Sequence, residues 1–221
     1  MKPDQKAYLH MVFVLERTGS RAAFRAEDRW SALTDWRTEP SGRYSRAMVR
    51  DRLLDSAEAV LAERGTHGLT LAAVAAHAGV SKGGLLYHYA SKDALITALI
   101  ERLIADFDQL IASFRLERPG WYTRAYIEAT FTVLAEKDVD LARRRWAAVC
   151  AASTDPALRE PLARAQRRWL SEGLDEEPDP DLSQLARLAA DGVWEAAELD
   201  AKLVGPDRLA ALRKRLLALV P

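Results

Sequence analysis

The chain has 221 residues and carries 32 Lys and Arg against 32 Asp and Glu, a net charge of zero that excludes a uniformly basic chain but not a local basic face. Apolar residues make up 49% and charged residues 29%, the balance of a soluble globular protein with one large or two small domains. Ala, Leu, Arg and Glu dominate, and no uncharged apolar run reaches the roughly 18 residues of a membrane span, so helices and no transmembrane segment are predicted.

Residues 1–46 differ from the rest. They carry scattered arginines (Arg17, Arg21, Arg25, Arg29, Arg37, Arg43, Arg46) and end in the loop-like Glu39-Pro40-Ser41-Gly42. The short apolar run Met11 to Leu15 meets Glu16 and Arg17 at once, which argues against a secretory signal. Short helical pieces around Tyr8–Arg17 and Ala22–Trp36 lack a strong apolar stripe. Two readings stand: a basic arm that adds phosphate contacts, or an upstream extension with little fixed structure.

From Val49 the pattern sharpens. Leu53, Leu54, Ala57, Val60 and Leu61 share one face at helical spacing, and Gly65 supplies a stop. Thr70 is a predicted N-cap for a short helix through His77, and Gly79 suits the left-handed residue that ends it. Ser81 caps a second short helix through Tyr87 or His88. Ser91 caps a long one, with Asp93 in its first turn, whose stripe runs from Leu95 to about Phe114. Arg118-Pro119-Gly120 breaks it. Helices follow from Trp121 to about Glu136 and from Val139 to about Ala152. Asp155-Pro156 opens the next, to about Glu172, by the cap-plus-proline signal. The acidic, proline-containing stretch Gly173 to Pro180 reads as a loop. Asp179-Pro180 then opens a helix with the stripe Leu182, Leu185, Leu188, Ala189, Val193, Ala196 and Leu199. Gly205-Pro206-Asp207 turns the chain into a last helix ending near Val220. That gives nine helices from Val49 onward and no convincing strand.

The two short helices carry the chemistry. Small residues at Ala75, Ala76, Ala78 and Gly79 allow a close helix crossing, and Val80 in the turn can fix its angle. The second helix would then lie in a major groove with Ser81, Lys82, Gly83 and Gly84 facing base edges. Glycine in a helix costs about 1 kcal/mol against alanine, which close approach of the backbone to a duplex would offset; the bland reading is a frayed first turn. Phosphate contacts fall to the Thr70 hydroxyl and helix start, to Lys82 and Lys92, and to Tyr87 and His88. Tyr89 reads as core. Taken singly, each residue has an ordinary packing or surface reading; the combination in this spacing points to DNA.

The stretch Val80-Ser81-Lys82-Gly83-Gly84-Leu85-Leu86-Tyr87-His88-Tyr89-Ala90-Ser91-Lys92 resembles the DNA-binding motif of TetR-family transcriptional regulators, which runs roughly Val-Ser-Lys-Gly-x-Leu-Tyr-x-His-Phe-x-x-Lys. The close match covers about Arg50 to Leu99. It departs at Leu86, where many members carry an aromatic, and mildly at Tyr89, where phenylalanine is usual. The resemblance implies an all-α fold: an N-terminal helix-turn-helix three-helix domain, residues 47–92, followed by a six-helix ligand-binding and dimerisation bundle, residues 93–221. It also implies a homodimer joined through the last two helices, a double-stranded operator, and a small-molecule effector held among the middle helices. Their broad apolar faces, rich in Ala and Leu, suit the last two helices to an interface or a core.

Trp121, Tyr126, Trp146, Cys150, Trp169 and Trp194 are the candidate effector-lining residues, with Tyr122 and Phe131 beside them, although aromatics at helical spacing are more often plain core. The run Arg143 to Arg145 reads as a solvated face. The single cysteine, Cys150, excludes an internal disulfide and fits a reducing, cytoplasmic setting. No cofactor or metal is predicted: the four histidines are scattered without partners at ligand spacing. An enzyme finds no support in a nucleophile elbow, a phosphate loop or a zinc motif. A helical protein-interaction module without sequence-specific DNA binding is the remaining alternative.

Overall fold

The computed structural model describes residues 46–135, 155–200 and 202–220. Among them lie eight α-helices, one 3-10 turn and no strand. They are α1 (Arg46–Gly68), α2 (Leu71–His77), α3 (Lys82–His88), α4 (Lys92–Ser113), α5 (Trp121–Leu134), α6 (Pro156–Ser171), a 3-10 turn at Leu174–Glu176, α7 (Pro180–Leu199) and α8 (Pro206–Leu219). The extension before Ser45 and the predicted helix from Val139 to Ala152 fall outside the described residues.

Local chemistry sets the helix starts. Thr70, Ser81, Ser91, Asp155 and Asp179 each occupy an N-cap, and each side-chain oxygen accepts a backbone N–H of the first turn at 2.8–3.1 Å. The predicted stop at Gly65 is a kink: φ is +64° there, yet helical turns resume to Gly68.

Two apolar cores follow. The first unites α1, α2, α3 and the opening turns of α4 through Leu53, Val60, Leu69, Val74, Leu85, Leu95 and Leu99. The second unites the far end of α4 with α5 to α8, centred on Ile111, Tyr126, Ile127, Phe131 and Trp169. Ile104 of α4 and Leu162 of α6 pack against both. Leu95, Ile96, Leu99 and Ile100 of α4 complete the core around the two short helices.

Ion pairs tie helices together around each core. Arg102 of α4 pairs with Asp55 at 2.7 Å and with Glu58, both on α1. Asp108 of α4 accepts from Arg168 at 2.7 Å and from the Trp169 indole at 2.6 Å, both on α6. Glu128 of α5 takes a forked pair of bonds from Arg213 of α8. Arg124 donates to the carbonyls of Leu217 and Val220 at 2.8 Å each, closing the end of α8.

The acidic stretch before α7 is the loop expected there, and it holds a buried charge the sequence reading did not foresee. It contains one 3-10 turn and is largely exposed, but Glu177 within it is 6% exposed and Arg187 is fully buried opposite it. Glu177 accepts from Arg187 at 3.2 Å, from the Thr123 hydroxyl at 2.5 Å, from the Thr123 backbone at 3.1 Å and from Ser183 at 3.1 Å. Arg187 also donates to Thr123 Oγ1 and to the carbonyls of Trp169 and Glu172, with its cation 4.8 Å from the Tyr122 ring centre. Gly120 allows this. Its φ is +74°, and a Cβ there would meet Glu177 Oε2 at 3.0 Å.

Candidate nucleic-acid interface

The turn between α2 and α3 is built from hydrogen bonds the sequence demands. α2 ends in a Schellman pattern: the Val80 N–H donates to the Ala75 carbonyl at 3.0 Å and the Gly79 N–H to the Ala76 carbonyl at 3.2 Å. Gly79 closes it at φ +67°, where a side chain would be strained. Ser81 then caps α3 through the Gly84 N–H at 3.0 Å. Ala75 and Ala78 are buried at the crossing, whereas Ala76 faces solvent. Val80 is half-buried against the first core.

Leu85 plugs that core completely, and Tyr89 follows at 2% exposed, the core position predicted for it. These two anchors fix which side of α3 faces out. Lys82, Gly83, Gly84, Leu86 and Tyr87 are exposed, as are Thr70, Ser81 and Lys92. His88 is half-buried with its ring edge-on to Tyr87 at 5.1 Å. All eight sequence-nominated residues thus sit on one small unit, seven of them open to solvent. Thr70 and Ser81 use their oxygens as caps and keep a hydroxyl proton to donate.

Charge is arranged to match. Residues 70–92 contain Lys82 and Lys92 and no Asp or Glu. The carboxylates Asp55 and Glu58 sit instead on α1, where both pair with Arg102. Within a neutral chain, the stretch 70–92 is thus positively charged.

In the bundle, Tyr126 and Trp169 are buried, and Trp121 and Trp194 are half-buried. Phe107 sits edge-on to Tyr126 at 5.8 Å and to Trp169 at 4.9 Å. The Tyr126 hydroxyl donates to Asp191. Burial pushes the Tyr126 hydroxyl well above its ordinary pKa, and the adjacent Asp191 carboxylate adds to the rise. Trp146 and Cys150 lie outside the described residues. A cleft of about 290 Å³ opens elsewhere, along Ser113 to Leu116, Arg124, Ala125 and Glu128, and none of the nominated residues lines it. Asp108, Asp191, Glu177 and Arg187 are the polar residues of the bundle that sequence reading missed.

The family model for bacterial regulatory proteins of the tetR family matches residues 53–99, which include the whole turn and α3. A second, for the tetracyclin repressor-like C-terminal domain, matches residues 120–221. The chain belongs to the TetR family. It is a DNA-binding transcriptional regulator of helical fold. The TetR-family relatives include the HTH-type transcriptional regulator BetI 1 of Chromohalobacter salexigens, 27% identical over 174 residues, 74% of this chain and 85% of that protein. UidR of Escherichia coli is 35% identical over 67 residues, 30% of this chain and 33% of that one. Among solved TetR-like folds, a transcriptional regulator from Rhodococcus superimposes with a TM-score of 0.63 at 23% identity over 77% of this chain and 95% of its own. The multidrug binding protein EbrR, complexed with malachite green, gives 0.62 at 24% over 78% of this chain and 98% of its own. No described helix is long and apolar enough to cross a membrane.

Proposed function

We propose that this TetR-family chain is a cytoplasmic repressor that binds a palindromic operator as a homodimer and releases it when a small molecule enters the bundle. The observation that carries the reading is α3 itself: a short helix pinned by Leu85, capped by Ser81, and turned outward beside Lys82 and Lys92 with no carboxylate in residues 70–92. Residues 47–92 form the reader and residues 93–221 the effector and dimer domain. Ser81, Lys82, Gly83 and Gly84 face base edges; Thr70, Tyr87, His88 and Lys92 hold phosphates, and Lys82 reaches a phosphate as well.

Dimer formation falls to α7 and α8. Leu185, Leu188 and Leu199 are 63%, 49% and 84% exposed, and Leu219 on α8 is 51% exposed. Such a patch on a helical surface calls for a partner, and a second copy places two reading helices about one DNA turn apart.

Effector control falls to α4. Its first turns belong to the reader core and its last turns to the bundle core, with no linker between. A molecule seated among Trp121, Tyr126, Trp169 and Trp194 would tilt α4 and change the spacing of the two readers. EbrR, which shares this fold, is a multidrug binding protein crystallised with malachite green and with ethidium. A coupling of about 1–3 kcal/mol suffices for such a switch.

Selection of bound duplex from a random pool tests this directly. The expected product is an inverted repeat with half-sites about 34–36 Å apart, retained by a dimer. Failure to enrich any duplex would overturn the reading.

A further inference from the structure

The outward face of α3 is unusual for a surface helix, because much of it is bare or apolar. Gly83 and Gly84 have no side chain, and neither adopts a positive φ. A Cβ built on Gly83 meets nothing nearer than Ser81 Oγ at 3.9 Å. The fold therefore does not require glycine at 83. Leu86 is 39% exposed. Helix side chains lean over the preceding turn, so Leu86 lies above Gly83. Together they form a smooth shelf without a donor or acceptor side chain, bordered by the cation of Lys82.

We propose that this shelf packs against the 5-methyl group of a thymine in the major groove, making Leu86 a specificity-determining residue of this chain. The inference rests on α3 being the reading helix. In the major groove, only thymine among the four bases presents a methyl group; the other base edges present nitrogen or oxygen atoms that a leucine would leave unpaired. The bare turn at Gly83 lets the backbone come close enough for the contact. Charge complementarity selects the occupant: Lys82 and Lys92, with no acid in residues 70–92, favour a polyanion over an apolar protein surface.

The test uses the full chain and the duplex that random-pool selection recovers. Each thymine is replaced in turn by deoxyuridine, which removes the methyl and nothing else, and affinity is read by fluorescence anisotropy. One position per half-site should weaken binding about fourfold, and roughly fifteenfold when both half-sites are changed, the worth of one buried methyl per subunit. In Leu86→Ala the same substitution should have no further effect, while Leu86→Met should restore it; melting curves check that both variants fold. If no deoxyuridine weakens binding beyond twofold, or if the loss persists in Leu86→Ala, the inference is wrong. In that case Lys82→Ala and Lys92→Ala still weaken binding, and the DNA reading stands. A wild-type chain that retains no duplex defeats both.

Discussion

A carboxylate sealed from water survives only when its oxygens are answered, and Glu177 meets that condition with Arg187, Thr123 and Ser183. Removing its charge strands the Arg187 cation at 0% side-chain exposure. Glu177→Gln should therefore cost about 3 kcal/mol of stability, read as a lower urea midpoint at unchanged slope. Asp191 is a milder case. Burial pushes its carboxyl above the ordinary range, Glu195 adds to the shift, and the Tyr126 hydroxyl offsets part of it. A raised folded pKa means stability is fully present below the unfolded value, about 3.9, and is lost as pH rises through the folded one. Asp191→Asn keeps an acceptor for Tyr126 and removes the titration. Its melting temperature should match wild type near pH 4 and exceed it increasingly as pH rises; a difference that does not change with pH would refute the assignment. Gly83 has the opposite profile. Gly83→Ala should stabilise the fold by about 0.5–1 kcal/mol in thermal melts, because nothing crowds the new methyl, and should weaken operator binding.

Among the elements, the capped helix starts were legible in the sequence because they are local. Thr70, Ser81, Ser91, Asp155 and Asp179 need only the next three residues to act, and each caps as expected. Within the loop before α7, the burial of Glu177 was not legible, because it depends on Thr123, more than fifty residues away in sequence. α7 shows the same limit. Its leucines read as one stripe, yet the row turned inward is Ser183, Ala186, Arg187, Ala190 and Ala197, and Leu185, Leu188 and Leu199 point out. Periodicity finds an apolar face without saying whether the chain's own core or a second subunit covers it. Leu185→Glu with Leu188→Glu should accordingly leave the fold helical by circular dichroism and shift the sedimenting species from dimer to monomer. A dimer that persists would place the interface elsewhere.

At the scale of the whole molecule, zero net charge conceals a division of labour. Asp55 and Glu58 of α1 are paired by Arg102, and the reading face keeps its lysines. Binding should then be electrostatic in onset and steep in salt despite the neutral total. The α3 face was legible because the motif from Val80 to Lys92 is contiguous. The bundle's polar core was not, because Asp108, Asp191 and Arg187 meet their partners only through helix packing. The most direct test of the account is the salt dependence of binding to the selected duplex for wild type, Lys82→Ala and Lys92→Ala. Affinity should fall steeply as salt rises. Each lysine removed should lower the slope by about one per contacted phosphate, with Lys92→Ala weakening all sequences alike and Lys82→Ala also relaxing base preference. Slopes and affinities unchanged in both variants would contradict the claim that this face of α3 is what meets DNA.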